Sequence, residues 1–180
     1  MEFLVVYATV EGHTQKIAES IAKRIEDKGT NVRLVPATER IADLKLDDYA
    51  GVIFAAPVYQ QRHPDEFINL IKAHAEQARH VPTALVSVSI SAAFPDGHDD
   101  ARAYVDRLEQ ATGWQPQAVH LAAGALRIGG YDFFQEQIIR HVVLKDRAPN
   151  LIEGHHDFTD WDALGAFIDD FVGKAGTGTL

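Results

Sequence analysis

The segment Phe3-Leu4-Val5-Val6-Tyr7-Ala8-Thr9-Val10-Glu11-Gly12-His13-Thr14 decides how this chain is read. Its first half is a short, continuous apolar run, the pattern of a strand buried on both faces. Hydroxyl, acidic and glycine residues then break the run, and a helical pattern starts at once. Ile17, Ala18, Ile21, Ala22 and Ile25 fall on one face, while Glu19, Lys23, Arg24 and Glu26 take the other. A turn between strand and helix gathers backbone N–H groups at the positive end of the helix dipole. It can therefore hold a phosphate without Lys or Arg.

Outward from this segment, apolar runs alternate with stretches of helical period, as in a parallel sheet covered on both faces. The predicted strands are Glu2–Ala8, Asn31–Pro36, Gly51–Ala56, Ala84–Ile90 and Ala118–Leu126. The predicted helices are His13–Lys28, Phe67–Ala78, Asp99–Thr112 and Asp160–Val172, with Thr159 as the N-cap of the last. Residues 39–48 are short for a crossover helix, but Ile41, Leu44, Leu46 and Tyr49 offer cover for that face. Five strands with helical crossovers imply an α/β three-layer sandwich with strand order 2-1-3-4-5. The crevice beyond the carboxyl ends of the first and third strands is then the ligand site.

The chain has 180 residues, 46% of them hydrophobic, enough for one well-formed core. We read one domain over 1–173, with an insert at 128–158 and a mobile tail at 174–180. The net charge of −9 argues against a nucleic-acid partner. With no cysteine, thiol nucleophiles and Cys-ligated metals are excluded, and any redox chemistry belongs to a bound cofactor. The nine histidines have no metal-ligand spacing. The expected setting is cytoplasmic, since Met1 leads straight into the first strand and no apolar run is long enough to span a bilayer.

The turn at 9–14 is neither the dinucleotide fingerprint nor a Walker A sequence, because the further glycines and the lysine are missing. Read by residues alone, it is either a phosphate loop or an ordinary strand-to-helix turn capped by a threonine. Its order of hydroxyl residue, two further residues, Gly, a polar residue and Thr resembles the phosphate loop of the flavodoxins. The resemblance implies FMN as cofactor, with hydroxyls from Thr9 and Thr14 and backbone groups from Val10, Glu11, Gly12, His13 and Thr14 on its phosphate. Glu11 stands where many flavodoxins have Thr or Ser, and repulsion from a phosphate dianion should turn its carboxylate outward.

Two further loops face the same crevice in this reading. After the third strand, Pro57, Val58, Tyr59 and Gln60 stand where a flavodoxin flanks the flavin ring, with Tyr59 as the stacking partner ahead of His63. After the fourth, Ser89, Ser91 and Ala92 are small enough for close approach to the ring edge, and Phe94 supplies a wall. Asp96, Asp99 and Asp100 read as helix-start carboxylates.

Between the fifth strand and the last helix the chain is longer than a simple connection needs, and such a loop is usually functional. Tyr131 to Leu144 has helical spacing, with Phe134, Ile138 and Val142 on one face. The elements Ala122-Ala123-Gly124-Ala125-Leu126-Arg127 and Asp157-Phe158-Thr159-Asp160-Trp161, with this insert between them, resemble the menaquinone-dependent protoporphyrinogen IX dehydrogenases. That resemblance covers nearly the whole chain. It implies a flavodoxin-like fold and oxidation of a tetrapyrrole in two-electron steps through FMN to a quinone. Arg62, Arg127 and Arg140 are then candidates for the substrate propionates. It also implies peripheral contact of the insert with the inner face of the membrane, and a homo-oligomer is compatible with the sequence. No residue is assigned as a general base. Two other functions fit the same fold: a flavodoxin-type electron carrier and an NAD(P)H:quinone oxidoreductase.

Overall fold

The computed structural model describes residues 2–38, 44–129, 144–145 and 152–178. Strands β1 (Glu2–Tyr7), β2 (Asn31–Pro36), β3 (Gly51–Pro57), β4 (Thr83–Ser89) and β5 (Ala118–Ala123) form one parallel sheet in the order β2-β1-β3-β4-β5. This is the order the sequence predicts. The direction of travel across the sheet reverses between β1 and β3, so a crevice opens beyond their carboxyl ends.

Alternation along β1 feeds two cores. Leu4 and Val6 join Phe54, Leu85 and Trp114 beneath helices α2 (Asp65–His74) and α3 (His98–Thr112). Phe3 and Val5 join Ile53 and Val86 beneath α1 (His13–Glu26) and α4 (Trp161–Thr177). Gly51 is required for packing: it pairs with Phe3, and an added Cβ would lie 2.8 Å from that ring. On the outer layer, Arg24 of α1 clamps Asp169 of α4 through two bonds of 2.7 and 2.8 Å. With Lys28 also on it, that carboxyl is held well below the usual carboxylate range.

Several predicted boundaries move, among them the helix expected at Phe67–Ala78, which runs from Asp65 to His74. The run Ala118–Leu126 is two strands, because β5 stops at Ala123 and the chain leaves the sheet at Gly124. The next stretch, β6 (Ala125–Ile128), pairs antiparallel with β7 (Gly154–Asp157) in a separate two-stranded ribbon. Asp160, not Thr159, caps α4, accepting from the Ala163 N–H at 2.9 Å. That helix runs on to Thr177, through the start of the segment read as a tail, with Phe171, Val172 and Ala175 packed on the core and Gly178 in left-handed conformation at its end. Leu44 and Leu46 are buried as expected, while Ile41 lies outside the described residues. So does most of the predicted insert helix, Arg140 included; Leu144 at its end is buried.

Candidate functional site

The turn after β1 takes its shape from one glycine. Gly12 sits at φ 88°, a left-handed conformation costly for any residue with a Cβ, and immediately precedes α1. Space on its Cβ side is open to 4 Å. The hydroxyl oxygen of Thr9 accepts from the Gly12 N–H at 3.0 Å, curling the turn. Thr14 is 2% exposed at the foot of the first helical turn, whereas Val10 and Glu11 face solvent. Glu11 is therefore exposed, as the repulsion argument requires.

The loop after β3 continues the sheet for one residue, through Val58 N–H to Val88 O at 2.7 Å, and then doubles back. Tyr59 and Arg62 exchange two backbone bonds, of 2.8 and 3.2 Å, around Gln60 and Gln61. Both glutamines have positive φ, 50° and 63°, as a two-residue type I′ turn demands. Arg107 of α3 reaches across to donate to the Gln61 carbonyl at 3.0 Å. Tyr59 is 56% exposed, so its ring is available to a flat ligand. Arg62 is exposed and paired with Asp65 on the first turn of α2, beside a groove of about 370 Å³.

His63 does not share Tyr59's exposure. Only 2% of it is exposed, with Nε2 3.0 Å from the Ser87 hydroxyl and its ring on Phe67. Burial pushes its pKa down to about 4, so it is a neutral anchor of the loop and no stacking partner.

The loop after β4 lies at the same edge of the sheet. Ser89 is buried, its hydroxyl accepting from the Ala92 N–H at 3.2 Å, and Ser91 lies 3.3 Å from the Tyr104 hydroxyl. The serines therefore brace the loop while Ala92 and Phe94 remain half-buried. Asp99 and Asp100 stand in the first turn of α3, as expected of helix-start carboxylates, and Lys145 pairs with Asp100.

A fourth segment, 157–159, part of the Asp157–Trp161 element on which the sequence resemblance rests, meets this edge through contacts its local sequence does not announce. The Phe158 ring lies 5.9 Å from that of Phe94. Asp157 takes Lys16 at 3.3 Å, and Thr159 contacts the His13 ring at 2.8 Å. Arg127 is exposed on β6, the strand paired with this segment. The structure thus assembles Thr9 to Thr14, Pro57 to Gln60, and Ser89 to Phe94 around one switch point, with the ribbon at its margin.

Comparisons with known proteins bear on this arrangement. Residues 4–150 match the model of the Flavodoxin domain family (Flavodoxin_5). The chain is similar to the protoporphyrinogen IX dehydrogenase [quinone] of Leishmania major, 29% identical over 94% of this chain and 74% of that one. It is also similar to the protein of that name from Escherichia coli K12, 23% identical over 96% and 95%. Among solved structures, a short-chain flavodoxin associated with a bacterial microcompartment superposes with a TM-score of 0.58 at 13% identity, covering 97% of this chain and 99% of that one. That likeness is one of fold. With its family model matched over most of its length, the chain belongs to the Flavodoxin domain family and is an oxidoreductase of the FMN type.

Proposed function

We propose that this protein oxidises protoporphyrinogen IX to protoporphyrin IX and passes the electrons to a quinone. The observation that carries the reading is the β6–β7 ribbon, which roots an extension of the chain beside the switch point. A carrier that docks protein partners works best with an uncovered flavin edge. Support comes from relatives bearing that enzyme name, aligned with this chain through the same region.

The residues fit FMN. The turn at 9–14 offers the Thr9 and Thr14 hydroxyls and backbone donors other than the Gly12 N–H, which the Thr9 oxygen already takes; no cation is needed, and nothing lies within 4 Å of the Cβ side of Gly12. In this reading Thr9 and Thr14 hold the phosphate, Tyr59 covers a ring face, and Ser89, Ser91 and Ala92 shape the pyrimidine side with Phe94 as wall. FMN, when bound, supplies the two-electron chemistry. The chain's own groups bind and orient. Arg127 is the substrate-propionate candidate free to swing, while Arg62 must first leave Asp65. Contact with a quinone-bearing membrane falls to the insert at 128–158; among the described residues no helix is long and apolar enough to cross one.

The test is oxidation of protoporphyrinogen IX by the FMN-reconstituted protein with a quinone acceptor, followed by porphyrin fluorescence. Turnover is expected. No porphyrin formation, together with fast reduction by NAD(P)H or by a flavodoxin reductase, overturns the assignment.

A further inference from the structure

Three consecutive residues at the end of the β6–β7 ribbon each fasten to a different part of the sheet's carboxyl edge. Asp157 takes Lys16 of α1 at 3.3 Å and the Thr159 backbone N–H at 3.0 Å. Phe158 donates its N–H to the Gly124 carbonyl at 3.1 Å and sets its ring against Phe94. Thr159 donates its hydroxyl proton to the Ala123 carbonyl at 2.8 Å, the last residue of β5.

A hydroxyl carries one proton, so the Thr159 oxygen must accept from its other neighbour, His13 Nε2, also at 2.8 Å. The Asp157 carboxylate, 3.6 Å from the same nitrogen, favours the same assignment. His13 is therefore the Nε2–H tautomer. Burial lowers its pKa and keeps it neutral, with Lys16 and His155 adding to that effect against the pull of Asp157. The Trp161 ring meets the His13 ring edge-on, with centroids 6.2 Å apart.

His13 is the first residue of α1 and directly follows Gly12, so a fixed His13 ring fixes the rotation of the helical turn that faces the phosphate. We propose that Thr159 is a positioning residue for the phosphate loop. It clamps the start of α1 to the end of β5 through the His13 ring, and so ties the ribbon that carries the insert to the cofactor's phosphate. The inference rests on the reading of residues 9–14 as the FMN phosphate site and is independent of the substrate.

Thr159→Val removes both bonds at constant shape, and Thr159→Ser keeps them. Apoprotein is titrated with FMN and with riboflavin, which lacks the phosphate, by flavin fluorescence quenching. The expected result for Thr159→Val is FMN affinity about tenfold weaker with riboflavin affinity unchanged, and Thr159→Ser within about twofold of the parent. Unchanged FMN affinity, or equal weakening toward both flavins, overturns the clamp. A second measurement, ring-nitrogen NMR of His13 in the apoprotein, expects the Nε2–H tautomer in the parent and in Thr159→Ser. A parent protein already in the Nδ1–H form refutes the clamp whatever the flavin titrations give. A parent protein with the expected tautomer but no preference for FMN over riboflavin overturns the phosphate reading instead.

Discussion

The turn at Thr9–Thr14 places its left-handed residue on a glycine, whereas the turn at Tyr59–Arg62 places two glutamines in that conformation. Both flank one crevice. The first is relaxed: Gly12 accepts φ 88° at little cost, and Thr9 closes the curl from within. The second is held from outside, by Arg107 on the Gln61 carbonyl and by His63 buried against Ser87. A loop that must present a rigid row of donors to a fixed charge is well served by the first construction. Strain retained at the second is the kind that surrounding structure over-determines at functional sites.

The largest expected effect breaks the first loop's chemistry without touching the second. Thr14→Asp puts a carboxylate at the foot of the phosphate turn, and at an effective dielectric near 20 two charges about 4 Å apart repel by roughly 4 kcal/mol. FMN affinity should fall by at least about 100-fold, while riboflavin affinity changes little. Circular dichroism checks that the buried substitution leaves the fold intact. Retained FMN affinity in a folded variant would remove the phosphate from this turn.

The second loop should fail on acidification. His63 titrates at 6.5 when unfolded and at about 4 when folded, so between these values the unfolded chain binds the extra proton. Stability contributed by the neutral, buried ring is complete above pH 6.5 and is lost as pH falls toward 4, by roughly 3 kcal/mol in all. His13 and His120, also lowered by burial, add losses of the same sign. Urea unfolding at pH 7 and pH 4.5 should therefore show a smaller pH dependence for His63→Gln than for the parent. An identical dependence in the two proteins would show that His63 is not the anchor.

The same contrast explains what was legible in the sequence. The phosphate turn is local: strand, glycine, hydroxyls and amphipathic helix lie within one short stretch, and each signal agrees with the next. The parallel order follows from continuous apolar runs such as Val52 to Ala56. The turn at 59–62 carries no Gly, Asn or Asp where a type I′ turn is normally announced, so its strain was invisible; so was Arg107, which lies 46 positions from Gln61. Thr159 and Asp160 are adjacent residues that can both cap a helix. Distant partners, His13 146 positions away and Ala123 36 positions away, occupy the Thr159 hydroxyl, and the cap falls to Asp160. The apolar run likewise places Gly124 inside a strand, because the bonds that turn the chain there come from Ser89 and Phe158.

The finest test of the comparison exchanges glycine between the loops. At Gly12 an added methyl meets nothing within 4 Å, so the cost of Gly12→Ala is backbone conformation alone, about 1 kcal/mol of destabilisation. Gln61→Gly should act in the opposite direction, because glycine adopts φ 63° freely while the side chain it removes is exposed. The expected gain is about 0.5–1 kcal/mol, reduced by the greater freedom of glycine in the unfolded chain. The Arg107 bond goes to the Gln61 backbone carbonyl and survives the change. Opposite signs in urea unfolding of the two variants would establish that one loop is relaxed and the other strained. A Gln61→Gly protein no more stable than its parent would mean that the external grip by Arg107 and His63 supports a turn that needs none.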